Sequence, residues 1–224
     1  MRSLTDVTPT RADLERLSRD GEPVTLTSCD LDGMDLAGLD LTGWEFERCT
    51  LKGTVFNGAR LEGARFAGCR AAGSSFVGAD LLDGSIEGGD FSNANFRGTT
   101  LTDVKISRCK MTGADLTDVQ AIGLALEDVL LVLAVLPKLS FRKKTLTRVD
   151  FSDADMRACD FREAVLDECS LRDAHLVDCR FEDADLRGAD LGGVKLTDAR
   201  RFKGALISKA QAADLLGQLG LRVM

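Results

Sequence analysis

At 224 residues the chain has room for one substantial domain or two small ones, and a formal charge of −7 argues against the basic footprint that a phosphate-backbone binder needs. The N-terminus lacks the apolar core of a signal peptide and the longest apolar run, Val129 to Leu136, is too short to span a membrane, so the expected location is cytoplasmic, with no membrane partner. Seven cysteines, none in a CxxC arrangement, read as neither a disulfide framework nor a zinc site.

The first predicted element is a short helix in an N-terminal cap, residues 1–25. Thr8 is the expected N-cap, Pro9 the first helical residue and Gly21 the stop, with Leu14 and Leu17 laid on the first coil. From Leu26 an apolar residue then recurs at every fifth position up to Leu196, through 35 consecutive positions. Against a 44 % apolar background, chance would give that run roughly once in 10¹².

The position two before each centre is small, and all seven cysteines occupy it: Cys29, Cys49, Cys69, Cys109, Cys159, Cys169 and Cys179. Charges fall almost wholly on the other three positions; the exception is Lys144. Neither a helix nor a flat strand has a period of five, but a coil that turns a corner every five residues does. Four such sides make one turn of about 20 residues, with equivalent centres stacked at roughly 4.8 Å. The predicted fold is all-β: a right-handed quadrilateral parallel β-helix over residues 26–200, a solenoid with short capping helices at both ends.

Residues 122–148 are the irregular part. Leu130, Val132, Leu133 and Val135 put apolar side chains outward, Leu124 and Leu139 put large ones at the small inward position, and Val129 to Val149 contains no acid. Burying the Lys144 ammonium would be costly. This turn is therefore expected to bulge as a loop or form a short helix. It reads either as a repaired coil or as a basic protrusion carrying Lys138, Arg142, Lys143 and Lys144 to a partner. Arg201 is expected to end the repeat. In the final segment, 201–224, Ser208 and Gln211 form a capping box for a helix running to about Leu219, with Gly220 beyond it. Leu215, Leu216, Leu219, Leu221 and Val223 read either as a simple cap or as a cap that also dimerises the chain.

Phrases such as Ala-Asp-Leu-Arg-Gly at 184–188 and Ala-Asp-Leu-Thr-Asp at 114–118 resemble the pattern of the pentapeptide-repeat family, and the resemblance covers residues 26–196. In length, acidity and C-terminal helix the chain is similar to the quinolone-resistance members that interact with DNA gyrase. That resemblance implies a DNA mimic that binds DNA gyrase or topoisomerase IV, protects it from a poison or inhibits it, and forms a homodimer through its C-terminus. The acids expected to make such a face are Asp83, Asp103, Asp150, Asp155, Asp160, Glu163 and Asp183. Between Asp150 and Asp190 there are 13 acids and five bases. The alternative is a rigid protein-interaction scaffold that uses the apolar and basic middle turn.

No enzyme chemistry is expected. His175 is the single histidine and lies at an outward position, the cysteines are explained as buried small residues, and carboxylates on a convex surface have no pocket to tune them. No cofactor, metal or nucleic acid is implied.

Overall fold

A five-residue period requires the backbone to turn once per repeat. At Phe56 the Ala59 amide donates to the Phe56 carbonyl at 3.0 Å, and Gly58 between them adopts φ 61°. That left-handed conformation is easiest for glycine. The computed structural model describes residues 2–195, 199–218 and 220–222, in two compact units, Met1–Leu130 and Leu131–Met224. The fold is an all-parallel β-solenoid of about eight turns with two short helices, as the period requires.

The first unit opens with strand β1 (Arg2–Thr5) and helix α1 (Arg11–Arg19), followed by β2 (Val24–Thr27), β3 (Glu45–Glu47), β4 (Arg65–Arg70), β5 (Ser85–Asp90), β6 (Lys105–Lys110) and β7 (Ala125–Leu130). From β2 onward these strands pair in parallel with a register of 20: Leu26 faces Phe46, Phe46 faces Phe66, and Phe66 faces Ile86. Parallel bridges Asp30–Thr50, Asp35–Val55 and Asp40–Arg60 form the other three sides. The second unit repeats the pattern with β8 (Thr145–Asp150) and β9 (Val165–Asp167), and with bridges Val135–Asp155, Ser140–Asp160 and Asp150–Ser170.

Every described centre except Ala121 and Leu176 is buried. Phenylalanines stack down the interior: Phe56 on Phe76 at 4.8 Å, and Phe161 on Phe181 at 5.0 Å. Six of the seven inward cysteines donate their thiol to the carbonyl 23 residues earlier, as Cys69 does to Phe46 at 3.1 Å and Cys179 to Met156 at 2.9 Å, while Cys29 donates to Leu4. Thr54 and Thr99 make the same bond with a hydroxyl, to Leu31 and Phe76. A small polar hydrogen can thus sit in the core without being left unpaired.

Three expectations are corrected. The N-cap of α1 is Thr10, not Thr8, because Asp13 three residues on completes a capping box with Thr10, while Pro9 lies outside the helix and is buried. Residues 122–148 neither bulge nor form a helix: turns and bridges keep the five-residue spacing throughout. Lys144 is half-buried, which a long side chain allows without sealing its charge from water, and Leu124 and Leu139 are accommodated at 4 % and 6 % exposure. Arg201 does not end the repeat. One extra residue shifts its phase, and Phe202 takes the next place in the aromatic column, 4.9 Å from Phe181. Leu206 then bridges Asp185.

The capping box of α2 (Lys209–Gly217) is formed by Ser208 and Gln211. The Gln211 amide also donates to the carbonyls of Leu186 and Ala189, each at 2.7 Å, which fastens the helix to the last regular turn. Leu215 is buried over a cavity of about 90 Å³ lined by Leu191, Val194, Phe202, Ala205 and Ile207. Leu216 is half-buried and Leu221 is exposed; Leu196, Leu219 and Val223 lie outside the described residues.

Candidate protein-binding face

Acids occupy all three outward places of the repeat, and two of these places are used differently. An aspartate immediately before a centre turns its carboxylate back to accept the amide two residues on, as Asp150 does from Ser152 at 2.9 Å, Asp155 from Arg157 at 3.3 Å and Asp160 from Arg162 at 3.1 Å. These are Asx turns that shape the next corner. An acid two residues after a centre sits on the corner itself at positive φ, as at Asp83 (57°), Asp103 (56°), Glu163 (59°) and Asp183 (60°).

The seven acids expected to form one binding face therefore divide. Asp150, Asp155 and Asp160 serve the fold. Arg157 holds Asp155 and Arg162 holds Asp160, each by a hydrogen-bonded ion pair that lowers the carboxyl's pKa below its ordinary value. Glu163 receives Arg142 at 2.8 Å and Lys143 at 3.4 Å, and the Arg142 hydrogen bond is the main cause of its lowered pKa. Asp83 and Asp103 in the first unit, and Asp183 in the second, are exposed corners without an ionic partner among the described residues. Each unit supplies its own corners.

The residues expected to protrude do not form a separate patch. Lys138 is an exposed corner, Arg142 and Lys143 are committed to Glu163, and Lys144 is half-buried. Sequence reasoning missed Asp153 and Asp173, corner acids in the second unit at φ 57° and 53° with no ionic or side-chain hydrogen-bond partner among the described residues. Their place within the five-residue repeat was the available signal.

His175 is exposed, with its Nδ1 3.7 Å from Asp155 Oδ1. All seven cysteines are buried and free, and burial pushes Cys69 and Cys109 up to about 12, and Cys49 and Cys169 to about 11. Among the described residues no group of three or more His, Cys, Asp or Glu could hold a metal ion, and no helix is long and apolar enough to cross a membrane.

A parallel four-sided coil with inward apolar centres, Asx-capped corners and thiols in the small position defines a repeat solenoid. The pentapeptide-repeat model matches residues 24–58, 45–82, 85–118, 145–182 and 164–200, so the chain belongs to the pentapeptide-repeat family. No curated protein matches it. Among solved structures, full-length QnrB1, a plasmid-mediated fluoroquinolone resistance protein, is similar with a TM-score of 0.77 at 23 % identity, covering 88 % of this chain and 100 % of that one. A trypsin-treated QnrB1 variant gives 0.63 at 23 % identity, covering 100 % and 98 %.

Proposed function

We propose that this protein is a cytoplasmic protein-binding solenoid that engages a type II topoisomerase, DNA gyrase or topoisomerase IV, in place of DNA, and so protects the enzyme from a poison or inhibits it. The observation that carries this reading is the likeness to QnrB1 over the whole of that chain, together with a second unit whose corners present carboxylates outward.

The mimicry is sparse. Duplex DNA carries one charge per ~1.7 Å. Here Asp155, Asp160, Glu163, Asp178, Glu182, Asp185 and Asp190 are already paired with arginines. The phosphate-like role falls to corner acids such as Asp153, Asp173 and Asp183. End-to-end pairing of two copies belongs to the same proposal, through exposed Leu206, Ile207 and Leu221; light scattering tests it, and a monomer at micromolar concentration would count against it.

A second reading is a scaffold for another protein, and one observation favours it: in the first unit Ile122 and Leu130 are 80 % and 46 % exposed, and in the second unit Leu133 is 60 % exposed. Exposed apolar surface is characteristic of interfaces. Titrating the purified protein into a gyrase supercoiling assay, with and without a fluoroquinolone, separates the two. An effect supports the topoisomerase reading, and its absence favours the scaffold.

A further inference from the structure

Leu133 is a misfit by two separate criteria. It occupies a corner at φ 58°, a conformation that clashes with a side chain's Cβ, and it is 60 % exposed. Every other described residue at positive φ is glycine, alanine or polar, so Leu133 is the one large apolar side chain placed there. Glycine would relieve the strain and aspartate would ease the exposure. Neither local folding nor core packing accounts for leucine.

Its corner column continues through Asp153 and Asp173. The Leu133 amide donates to the Ser152 carbonyl at 3.0 Å, the Asp153 amide to Arg172 at 2.9 Å, and the Asp173 amide to Gly192 at 2.8 Å. Consecutive corners therefore lie one coil apart, about 4.8 Å. Both carboxylates are exposed, and neither has an ionic or side-chain hydrogen-bond partner among the described residues. The nearby cation Arg172 is turned to Asp190 at 2.8 Å. The Asp173 side chain lies over Gly193, where a Cβ would collide with it.

We propose that Leu133, Asp153 and Asp173 form a linear docking site for a basic segment of a partner protein that carries an apolar side chain next to its cations. Charge complementarity selects the basic segment: two unneutralised carboxylates about 5 and 10 Å from an apolar knob fit one aliphatic contact followed by two lysines or arginines. This inference rests on the protein-binding reading but not on the partner being a topoisomerase.

The probe is a fluorescein-labelled peptide in which single serines separate one leucine and two following lysines, so that all three share one face when extended, followed by fluorescence anisotropy against the full chain; the same peptide with serine in place of the leucine is the comparison of equal charge. The wild type should bind the leucine peptide saturably and more tightly than the serine peptide. Leu133→Gly, and the double variant Asp153→Asn with Asp173→Asn, should each weaken binding by roughly tenfold, about 1.4 kcal/mol. Leu133→Gly should melt no lower than the wild type, a readout that a packing role would reverse. The double variant Asp83→Asn with Asp103→Asn, corners without an apolar neighbour in their column, should leave binding within about twofold. No saturable binding, equal binding of the two peptides, equal loss from the control pair, or a lower melting temperature for Leu133→Gly would each overturn the proposal. A negative gyrase assay alongside positive peptide binding would remove the topoisomerase reading and leave this site standing.

Discussion

Arg142 holds Glu163 through two nitrogens, Nε at 3.2 Å and Nη2 at 2.8 Å, while Lys143 lies 3.4 Å from the other carboxylate oxygen. The basic middle turn and the acidic stretch look like opposed surfaces in the sequence. In the structure they meet one coil apart and cancel. Reversing Glu163 to lysine would set three cations together, so the Glu163→Lys variant should melt at a lower temperature. Its effect on a topoisomerase should be smaller than that of Asp183→Lys, because Glu163 offers little free charge to a partner. Paired melting curves and supercoiling titrations check both, and a larger loss of activity from Glu163→Lys would contradict the assignment.

Stability should fall in acid. The Arg157 hydrogen bond holds Asp155 below its ordinary pKa, the Arg162 hydrogen bond does the same for Asp160, and the Ser92 hydroxyl does so for Asp90. A carboxyl whose folded pKa is depressed adds stability above its unfolded value, near 4, and loses it as the pH falls through the folded value. The melting temperature should hold between about pH 8 and pH 5 and decline from about pH 4 downward. A melting temperature unchanged down to about pH 2 would contradict these pairings.

Gly89 is where substitution should cost most among the corner and strand glycines of the first unit. At φ 113° it faces Cys69, and a Cβ there would collide with the Cys69 carbonyl oxygen and sit 2.9 Å from its amide nitrogen. Backbone cannot yield as a side-chain tip can. Gly89→Ala should cost about 3 kcal/mol. Gly58→Ala, with nothing within 4 Å of the new methyl, should cost about 1 kcal/mol, the strain of the left-handed corner alone. Denaturant melts of the two variants should rank in that order.

The core thiols should be silent in the native state. Burial pushes Cys49 and Cys169 to about 11 and Cys69 and Cys109 to about 12, and thiolate is the reactive form. Ellman's reagent at pH 8 should find none of these four in the folded protein and all seven cysteines after denaturation. Rapid native reaction of Cys69 or Cys109 would show that the coil opens far more readily than its packing implies.

Much of the fold was legible because each centre can be buried only by its neighbours 20 residues away, so selection writes the period into the chain. Two misreadings treated local chemistry as stronger than that constraint. Lys144 at an inward position suggested that the turn would be expelled, yet a long side chain can leave its charge near water while the coil stays regular. Arg201 suggested an end, yet one inserted residue restores the phase at Phe202. The acidic face was harder to read because a count of carboxylates does not separate Asp155, tied into its own turn and to Arg157, from Asp153 two residues earlier on a free corner. Position within the repeat separates them.

The most direct test of the central claim is DNA gyrase supercoiling with this protein titrated in, in the presence and absence of a fluoroquinolone. The account predicts inhibition or drug protection at micromolar protein, weakened by Asp153→Lys, Asp173→Lys or Asp183→Lys more than by Asp155→Lys or Asp160→Lys. No effect at tens of micromolar on either gyrase or topoisomerase IV would contradict the topoisomerase assignment.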